Sequence, residues 1–109
     1  GSGVINTGGE KVYPAEVEGV LFTHPAVADC VIVGTPDPRW GEAVTALVVP
    51  DGAARVTELD LIEHVGARLA GYKKPKAVLF LNSLSRSPSG KLNMRMLRQR
   101  AVDELAARR

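Results

Sequence analysis

The sequence has a single cysteine, few aromatic residues and no hydrophobic run that could cross a membrane. Cys30 has no partner for an internal disulfide, which is typical of proteins of a reducing cytoplasm, and we expect it to be a small buried side chain. No apolar stretch approaches the roughly 20 residues of a membrane-spanning helix, so we expect no transmembrane segment. Only 5% of the 109 residues are aromatic, which disfavours a surface built to stack exposed nucleic-acid bases.

Acidic residues are missing from one long part of the chain. Residues 64–102 contain nine lysines or arginines and no aspartate or glutamate, whereas the first 63 residues contain ten acids and only three basic side chains. A basic block of this length attracts phosphates, nucleic acids or acidic protein surfaces. The charge distribution alone does not decide among these partners.

The composition is that of a globular protein, with 45% hydrophobic and 24% charged residues. We interpret residues 1–3 as an expression remnant and residues 4–109 as a single domain. The Gly8-Gly9 pair lies between two short apolar segments and predicts a β-hairpin, and Pro14 suits the first turn of the helix that follows.

Two strands, two helices and a third strand are predicted after this first helix. Residues 27–37 and 42–52 are β-rich, and the second strand is predicted to be central because both of its faces are apolar. Thr57 opens a capping-box pattern for a helix that should end near Gly71. Residues 76–82 form the third strand, and a last helix begins after Asn93. We therefore expect a small α+β domain, a three-stranded sheet covered by helices with an N-terminal two-stranded hairpin.

No catalytic or metal-binding cluster is evident from these residues alone. His24 and His64 are far apart in the sequence, and we expect a structural or surface role for both. Three other features are candidates for binding or catalysis, and each also has an ordinary explanation. They are the Gly8-Gly9 tip, which a plain tight turn explains; the "GYKKPK" segment, which an ordinary solvated loop explains; and Lys91, which a solvated loop lysine explains.

Four segments, taken together, resemble one known family. In order and spacing, "GGEKVYPAEVE", "PDPRWGEAVTALVV", "GYKKPK" and "SRSPSGKLNMRML" resemble the C-terminal domain of the acyl-adenylate-forming enzymes, and within them the fatty-acid and aryl-acid CoA ligases. The resemblance covers residues 4–100. It implies the fold of the AMP-binding-enzyme C-terminal domain and two reaction steps. A carboxylate attacks ATP to form an acyl-adenylate and pyrophosphate, and the thiol of CoA then displaces AMP.

The resemblance also implies that this chain is a mobile lid that changes orientation between the two steps. Its partner would be the large N-terminal domain of the same protein, which holds ATP, most of the Mg²⁺ contacts and the acyl pocket. The chain would begin just after the hinge between the domains, and the lid alone would be inactive. The complete enzyme would be a cytoplasmic medium- or long-chain fatty-acid CoA ligase, with peripheral membrane association as a further option.

The resemblance assigns roles to individual residues. Lys91 matches the invariant lysine that assists adenylation, although Ser85 stands where the family motif has proline. A cation between the attacking carboxylate and the phosphate stabilises the crowded negative charge of the transition state. The residues implied in CoA binding are the hairpin residues Gly8, Gly9, Glu10 and Lys11, together with Trp40, Tyr72, Lys74 and Lys76.

Two alternatives to a CoA ligase lid remain at this point. The first is the lid of a peptide-synthetase adenylation domain or of a luciferase-like enzyme, which would share the adenylation step and differ in the second step. The second is a basic nucleic-acid-binding module, which the scarcity of aromatic residues disfavours, since only Tyr72 lies near the lysines.

Overall fold

A long antiparallel ribbon forms the centre of the computed structural model, which describes residues 3–53 and 55–108. Gly1 and Ser2, part of the predicted expression remnant, lie outside the described residues. None of the described helices is both long and apolar enough to span a bilayer. The elements are β1 (Ile5–Thr7), β2 (Glu10–Val12), α1 (Pro14–Leu21), β3 (Val27–Asp37), β4 (Gly41–Pro50), α2 (Glu58–Gly66), a 3-10 turn (Gly71–Lys73), β5 (Ala77–Phe80) and α3 (Met94–Ala107).

Strand β4 is the central strand, as predicted. It pairs with β3 along nearly its whole length in antiparallel fashion, and with β5 in parallel from Thr45↔Ala77 to Val48↔Phe80. The predicted hairpin of β1 and β2 is also present, and it joins the sheet through one pairing, Thr7↔Gly41. The predicted α+β domain is therefore confirmed, and the strand directions that the sequence left open are now defined.

Both faces of the sheet are covered, which explains why β4 is apolar on both sides. Helices α1 and α2 bury one face, and α3 buries the other. Alternate residues of the same strand therefore enter different cores, as the period of two in a strand requires. Val44, Ala46 and Val48 pack under α1 and α2, in what we call the first core. Leu47 packs under α3, in the second core.

The predicted helix starts are confirmed by their caps. The Asp60 N–H donates to Thr57 Oγ1 at 3.1 Å and the Thr57 N–H donates to Asp60 Oδ2 at 2.9 Å, which completes a capping box. The Met96 N–H donates to Asn93 Oδ1 at 3.1 Å at the start of α3. Both caps satisfy N–H groups that a helix leaves without an internal partner.

The predicted end of α2 near Gly71 is wrong, since the helix ends at Gly66. After Gly66 the chain forms one further turn, in which the N–H groups of Arg68 and Leu69 donate to the Val65 carbonyl. At Ala70 the backbone is already extended. Leu69 keeps helical spacing from Val65 and packs against the core, so the hydrophobic pattern runs past the true end of the helix. The side chain of Lys74 then lies over Gly66, where a Cβ atom would be 2.7 Å from Lys74 Cδ.

Cys30 is buried beneath α1, as expected. Burial raises the pKa of its thiol to about 12, and the carboxylates of Glu18 and Asp29 act in the same direction. The thiolate, which is the nucleophilic form, is therefore scarce at neutral pH. Cys30 is a packing residue of the first core.

Replacing Gly19 by Ala should stabilise the protein. Gly19 lies inside α1 on its exposed side, and an added Cβ would meet no atom within 4 Å. Alanine is the better helix former by about 0.5–1 kcal/mol, so the free energy of unfolding should rise by about that amount. Urea denaturation of the 109-residue chain measures this, and a fall in stability would contradict the helical assignment of this position.

Candidate functional site

The Gly8-Gly9 hairpin rests directly on the turn between β3 and β4. The Gly8 N–H donates to the Trp40 carbonyl at 2.8 Å, and a Cβ at Gly8 would lie 2.8 Å from Trp40 Cε3. Gly8 and Gly9 both have positive φ, +58° and +86°, a conformation that favours glycine. No atom lies within 4 Å of a Cβ built at Gly9, so the tip projects freely. Glu10 and Lys11 follow on β2 with exposed side chains.

The indole of Trp40 is flanked by two cations. Lys76 Nζ lies 4.9 Å and Arg39 Cζ 4.8 Å from its ring centroid. The turn below is fixed because Asp37 Oδ1 accepts hydrogen bonds from the N–H groups of Arg39 and Trp40 at 2.8 and 2.9 Å. The structure thus brings together Gly8, Gly9, Trp40 and Lys76, which we call the hairpin cluster, and adds Arg39, which the sequence reasoning missed.

Glu42 holds the hairpin against the sheet, and this role was also missed. Its Oε1 accepts a hydrogen bond from the Asn6 N–H at 2.9 Å. Its Oε2 occupies the space beside Gly34, where a Cβ would be only 2.5 Å away. A glycine within a strand otherwise rich in β-branched residues is a recognisable sign of such a close approach.

Tyr72 and Lys74, which were also predicted to bind CoA, have neighbours outside the hairpin cluster. Lys73, between them, forms a 2.6 Å ion pair with Glu16 of α1, and this hydrogen bond raises the pKa of the Lys73 ammonium group. Lys73 also lies over the Tyr72 ring, 5.7 Å from its centroid, while Lys74 packs along Gly66. Among the residues described, the cations that stack on Trp40 are Arg39 and Lys76, so the "GYKKPK" segment divides between two surroundings.

Lys91 stands at the end of a closed loop. The Ser87 N–H donates to the Lys91 carbonyl at 2.9 Å, and the Lys91 N–H donates to Ser87 Oγ at 3.1 Å. Gly90 has a φ of +86°, and its N–H donates to the Ser87 carbonyl at 2.8 Å. Lys91 is exposed, and within residues 3–53 and 55–108 it forms no ion pair. The cation is therefore available to an external anion.

The backbone conformation at Ser85 is one that proline cannot adopt. Ser85 has a φ of +56°, and its N–H donates to Ser83 Oγ at 2.9 Å. Proline restricts φ to about −65° and has no N–H to donate. The departure from the family motif therefore accompanies a local backbone conformation that a proline could not adopt.

The structure brings His24 and His64 together despite their separation in the sequence. Their ring centroids are 4.9 Å apart in a T-shaped arrangement, and His64 Nε2 lies 2.8 Å from Thr23 Oγ1. His24 Nδ1 accepts a hydrogen bond from the Ala26 N–H at 3.0 Å. Burial, followed by the charge of Arg68, lowers the pKa of His64. The pair joins the end of α1 to α2, and the described residues contain no cluster of three or more side chains that could hold a metal ion.

Comparison with known proteins identifies the family. The sequence profile of the AMP-binding enzyme C-terminal domain matches residues 16–91. The chain belongs to this family. The matched segment contains Trp40, Lys76 and Lys91, whereas the hairpin tip precedes it.

Members and structural neighbours of the AMP-binding enzyme C-terminal domain family include acyl-CoA ligases. The chain is 50% identical over 95 residues to a 3-oxocholest-4-en-26-oate–CoA ligase of Rhodococcus rhodochrous, which covers 87% of this chain and 17% of that protein. A fatty acyl CoA synthetase of Mycobacterium tuberculosis superposes with a TM-score of 0.86 and 42% identity over 93% of this chain and 20% of its own. ATP-bound MatB of Rhodopseudomonas palustris superposes with a TM-score of 0.87 and 34% sequence identity. The match covers 94% of this chain and 20% of MatB.

These relatives confirm the predicted family and its fold. The chain spans about a fifth of the length of the proteins it matches. The roles assigned to Lys91 and to the CoA-binding residues are tested by none of these matches and stay predictions.

Replacing Gly34 by Ala should release the hairpin. The new Cβ would displace the Glu42 carboxylate and break its hydrogen bond from Asn6. Because this hydrogen bond is exposed and the Glu42 side chain is flexible, its loss should lower the free energy of unfolding by about 0.5–1.5 kcal/mol. Urea denaturation, with amide exchange at Asn6, measures the effect, and Gly19→Ala is the matched control. Unchanged stability with a protected Asn6 amide would show that Glu42 does not hold the hairpin.

Proposed function

We propose that this chain is the mobile C-terminal domain of an ATP-dependent acyl-CoA ligase. In one orientation it would present Lys91 to the adenylation reaction, and in the other it would present the hairpin cluster to CoA. Its partner would be the N-terminal adenylate-forming domain of the same protein, in the cytoplasm. The relatives named above support this proposal, because two of them carry acyl-CoA ligase or synthetase names and a third was solved with ATP bound.

The separation of the two candidate sites along β3 carries the proposal. The loop between Leu84 and Leu92, which we call the Lys91 loop, is attached through Arg86 to Asp29, near the start of β3. The hairpin cluster lies beyond Asp37, where β3 ends. Eight residues of strand, at about 3.3 Å each, separate these anchors by about 26 Å. Because these anchors lie at opposite ends of the strand, we propose that the two sites meet the reacting centre one at a time and that the domain turns between the two steps.

The adenylation step would use the charge of Lys91. A substrate carboxylate attacks the α-phosphate of ATP, and negative charge accumulates on the pentacoordinate phosphorus and on the departing pyrophosphate. A compact ammonium group in a cleft that excludes water stabilises this charge better than it stabilises the separated reactants. Since Lys91 is exposed on the isolated domain, it would act only after the lid closes.

The thioester step would use the hairpin cluster. Two glycines without Cβ atoms can line a narrow passage for the pantetheine arm, bordered by Glu10 and Lys11 of the next strand. The phosphates and adenine of CoA require cations and an aromatic face. Trp40, Lys76, Tyr72 and Lys74 would supply these.

ATP, Mg²⁺ and the acyl group would be held mainly by the N-terminal domain. The isolated chain should therefore be inactive or nearly so. For the acid we propose a medium- or long-chain fatty acid, and the name of the fatty acyl CoA synthetase supports the fatty-acid class. The pairing of Lys73 with Glu16 offsets one positive charge of the basic segment beside Tyr72.

In the full-length enzyme, Lys91→Ala should reduce adenylation about 10²–10³-fold, the usual effect of removing one group that stabilises transition-state charge. Thioester formation from supplied acyl-adenylate should be retained. Pyrophosphate release and acyl-CoA formation measure the two steps separately. Arg95→Ala, which removes another exposed cation four residues away, is the control. Intact adenylation with lost thioesterification would contradict the role of Lys91.

A bulky residue in place of Gly9 should slow thioester formation rather than adenylation. Gly9→Leu places a side chain at the free hairpin tip, where it would obstruct the pantetheine arm, and it also strains the positive φ. We expect acyl-CoA formation from acyl-adenylate to fall at least about tenfold while adenylation is retained. Gly52→Leu is the control, because Gly52 is equally uncrowded and lies in a different turn. A defect confined to adenylation would refute the assignment of the hairpin.

A further inference from the structure

Arg86 ties the Lys91 loop to the sheet through three hydrogen bonds. Its Nε and Nη2 donate to Asp29 Oδ2 and Oδ1 at 2.7 and 2.8 Å, in a bidentate ion pair. Its Nη1 donates to the carbonyl of Gly90 at 2.8 Å. The Gly90 carbonyl belongs to the peptide unit that precedes Lys91, so the guanidinium group fixes the orientation of that unit relative to β3.

The loop has no other such connection among the residues that the structure describes. Its remaining hydrogen bonds join residues 87–91 to one another and Ser85 to the nearby Ser83, which lies outside the strands. The chain leaves the core at Leu84, which is buried, and returns at Leu92, which packs against the second core. Within residues 3–53 and 55–108, the side chain that hydrogen-bonds this loop to a strand is Arg86.

Asp29 is itself held in place. It lies at a bulge in β3, where the pairing shifts between Val27↔Pro50 and Asp29↔Val49. A bulge redirects a side chain that would otherwise follow the regular alternation. Asp29 Oδ1 also accepts a hydrogen bond from the Cys30 N–H at 2.9 Å. The Arg86 hydrogen bond, the largest contribution, keeps the pKa of Asp29 below its usual value, so the ion pair is complete at neutral pH.

We propose that Arg86 and Asp29 are positioning residues for Lys91, holding its loop in the one geometry that delivers the ammonium group to the phosphate. The part of this proposal that concerns activity rests on the proposed function. The part that concerns loop order does not.

The physical reason is the flexibility of the lysine side chain. Its four-carbon stem has many rotamers, so the position of the charge is only as definite as the backbone that carries it. A displacement of about 1 Å can cost about 10²-fold in rate. The planar guanidinium can meet a carboxylate at two points and a carbonyl at a third, whereas an ammonium group is a single point charge. Arg86→Lys therefore keeps the charge and loses the geometry.

The first experiment measures loop order in the 109-residue chain by ¹⁵N relaxation. In Arg86→Lys and Asp29→Asn, the order parameters of Ser89, Gly90 and Lys91 should fall from about 0.85 to below about 0.6. The sheet and α3 should not change. Arg100→Lys is the matched control, since Arg100 also forms an exposed ion pair, with Glu104. A loop that stays rigid in both variants overturns the proposal.

The second experiment measures adenylation in the full-length enzyme. We expect Arg86→Lys to lower kcat for adenylation at least about tenfold with KM for ATP little changed, and to spare thioesterification of supplied acyl-adenylate. Arg86→Ala should be restored in part by added methylguanidinium, which a general folding defect would not show. Wild-type adenylation in Arg86→Lys, in an enzyme that Lys91→Ala inactivates, overturns the positioning role. If Lys91→Ala is itself active in adenylation, the proposed function is overturned instead.

Discussion

The antiparallel pairing of β3 with β4 is the interaction on which the rest of the molecule depends. The pairing runs from Val27↔Pro50 to Asp37↔Gly41, and the ribbon is buried on both faces. Helix α1 packs on one face of these strands and α3 on the other, whereas α2 packs beside α1 and against β5. Because a strand is stiff along its length, features attached at its two ends keep a constant separation.

That constant separation places the two candidate sites at opposite ends of one small domain. Near Asp29, a bulge and an ion pair hold a loop with an exposed cation. Beyond Asp37, a carboxylate-capped turn supports an aromatic ring and a glycine hairpin. Hydrogen bonds to charged side chains secure both surfaces, through Arg86 in the first and Glu42 in the second. Such bonds constrain short loops that bury too little apolar surface to be ordered by packing.

The local structure was largely predictable from the sequence, and the one boundary that was predicted wrongly, the end of α2, has a physical explanation. Strand alternation, the Thr57 and Asn93 caps and the double-sided apolar character of β4 are properties of neighbouring residues, and all were confirmed. The predicted end of α2 was wrong because Leu69 lies at helical spacing from Val65 and packs against the core, although it belongs to the turn after the helix. A hydrophobic pattern reports which residues face the core, and it does not report where the backbone leaves the helix.

By itself, then, the sequence determined the order of the elements, the family and the candidate lysine, because periodicity, caps and motif spacing are local. Only the tertiary structure decided that Arg86 meets Asp29, that Glu42 meets Asn6 and that the two histidines touch. These partners are 36 or more residues apart, and their contact depends on strand register and helix packing. Register is set by the whole sheet at once, so no short segment of the chain encodes it.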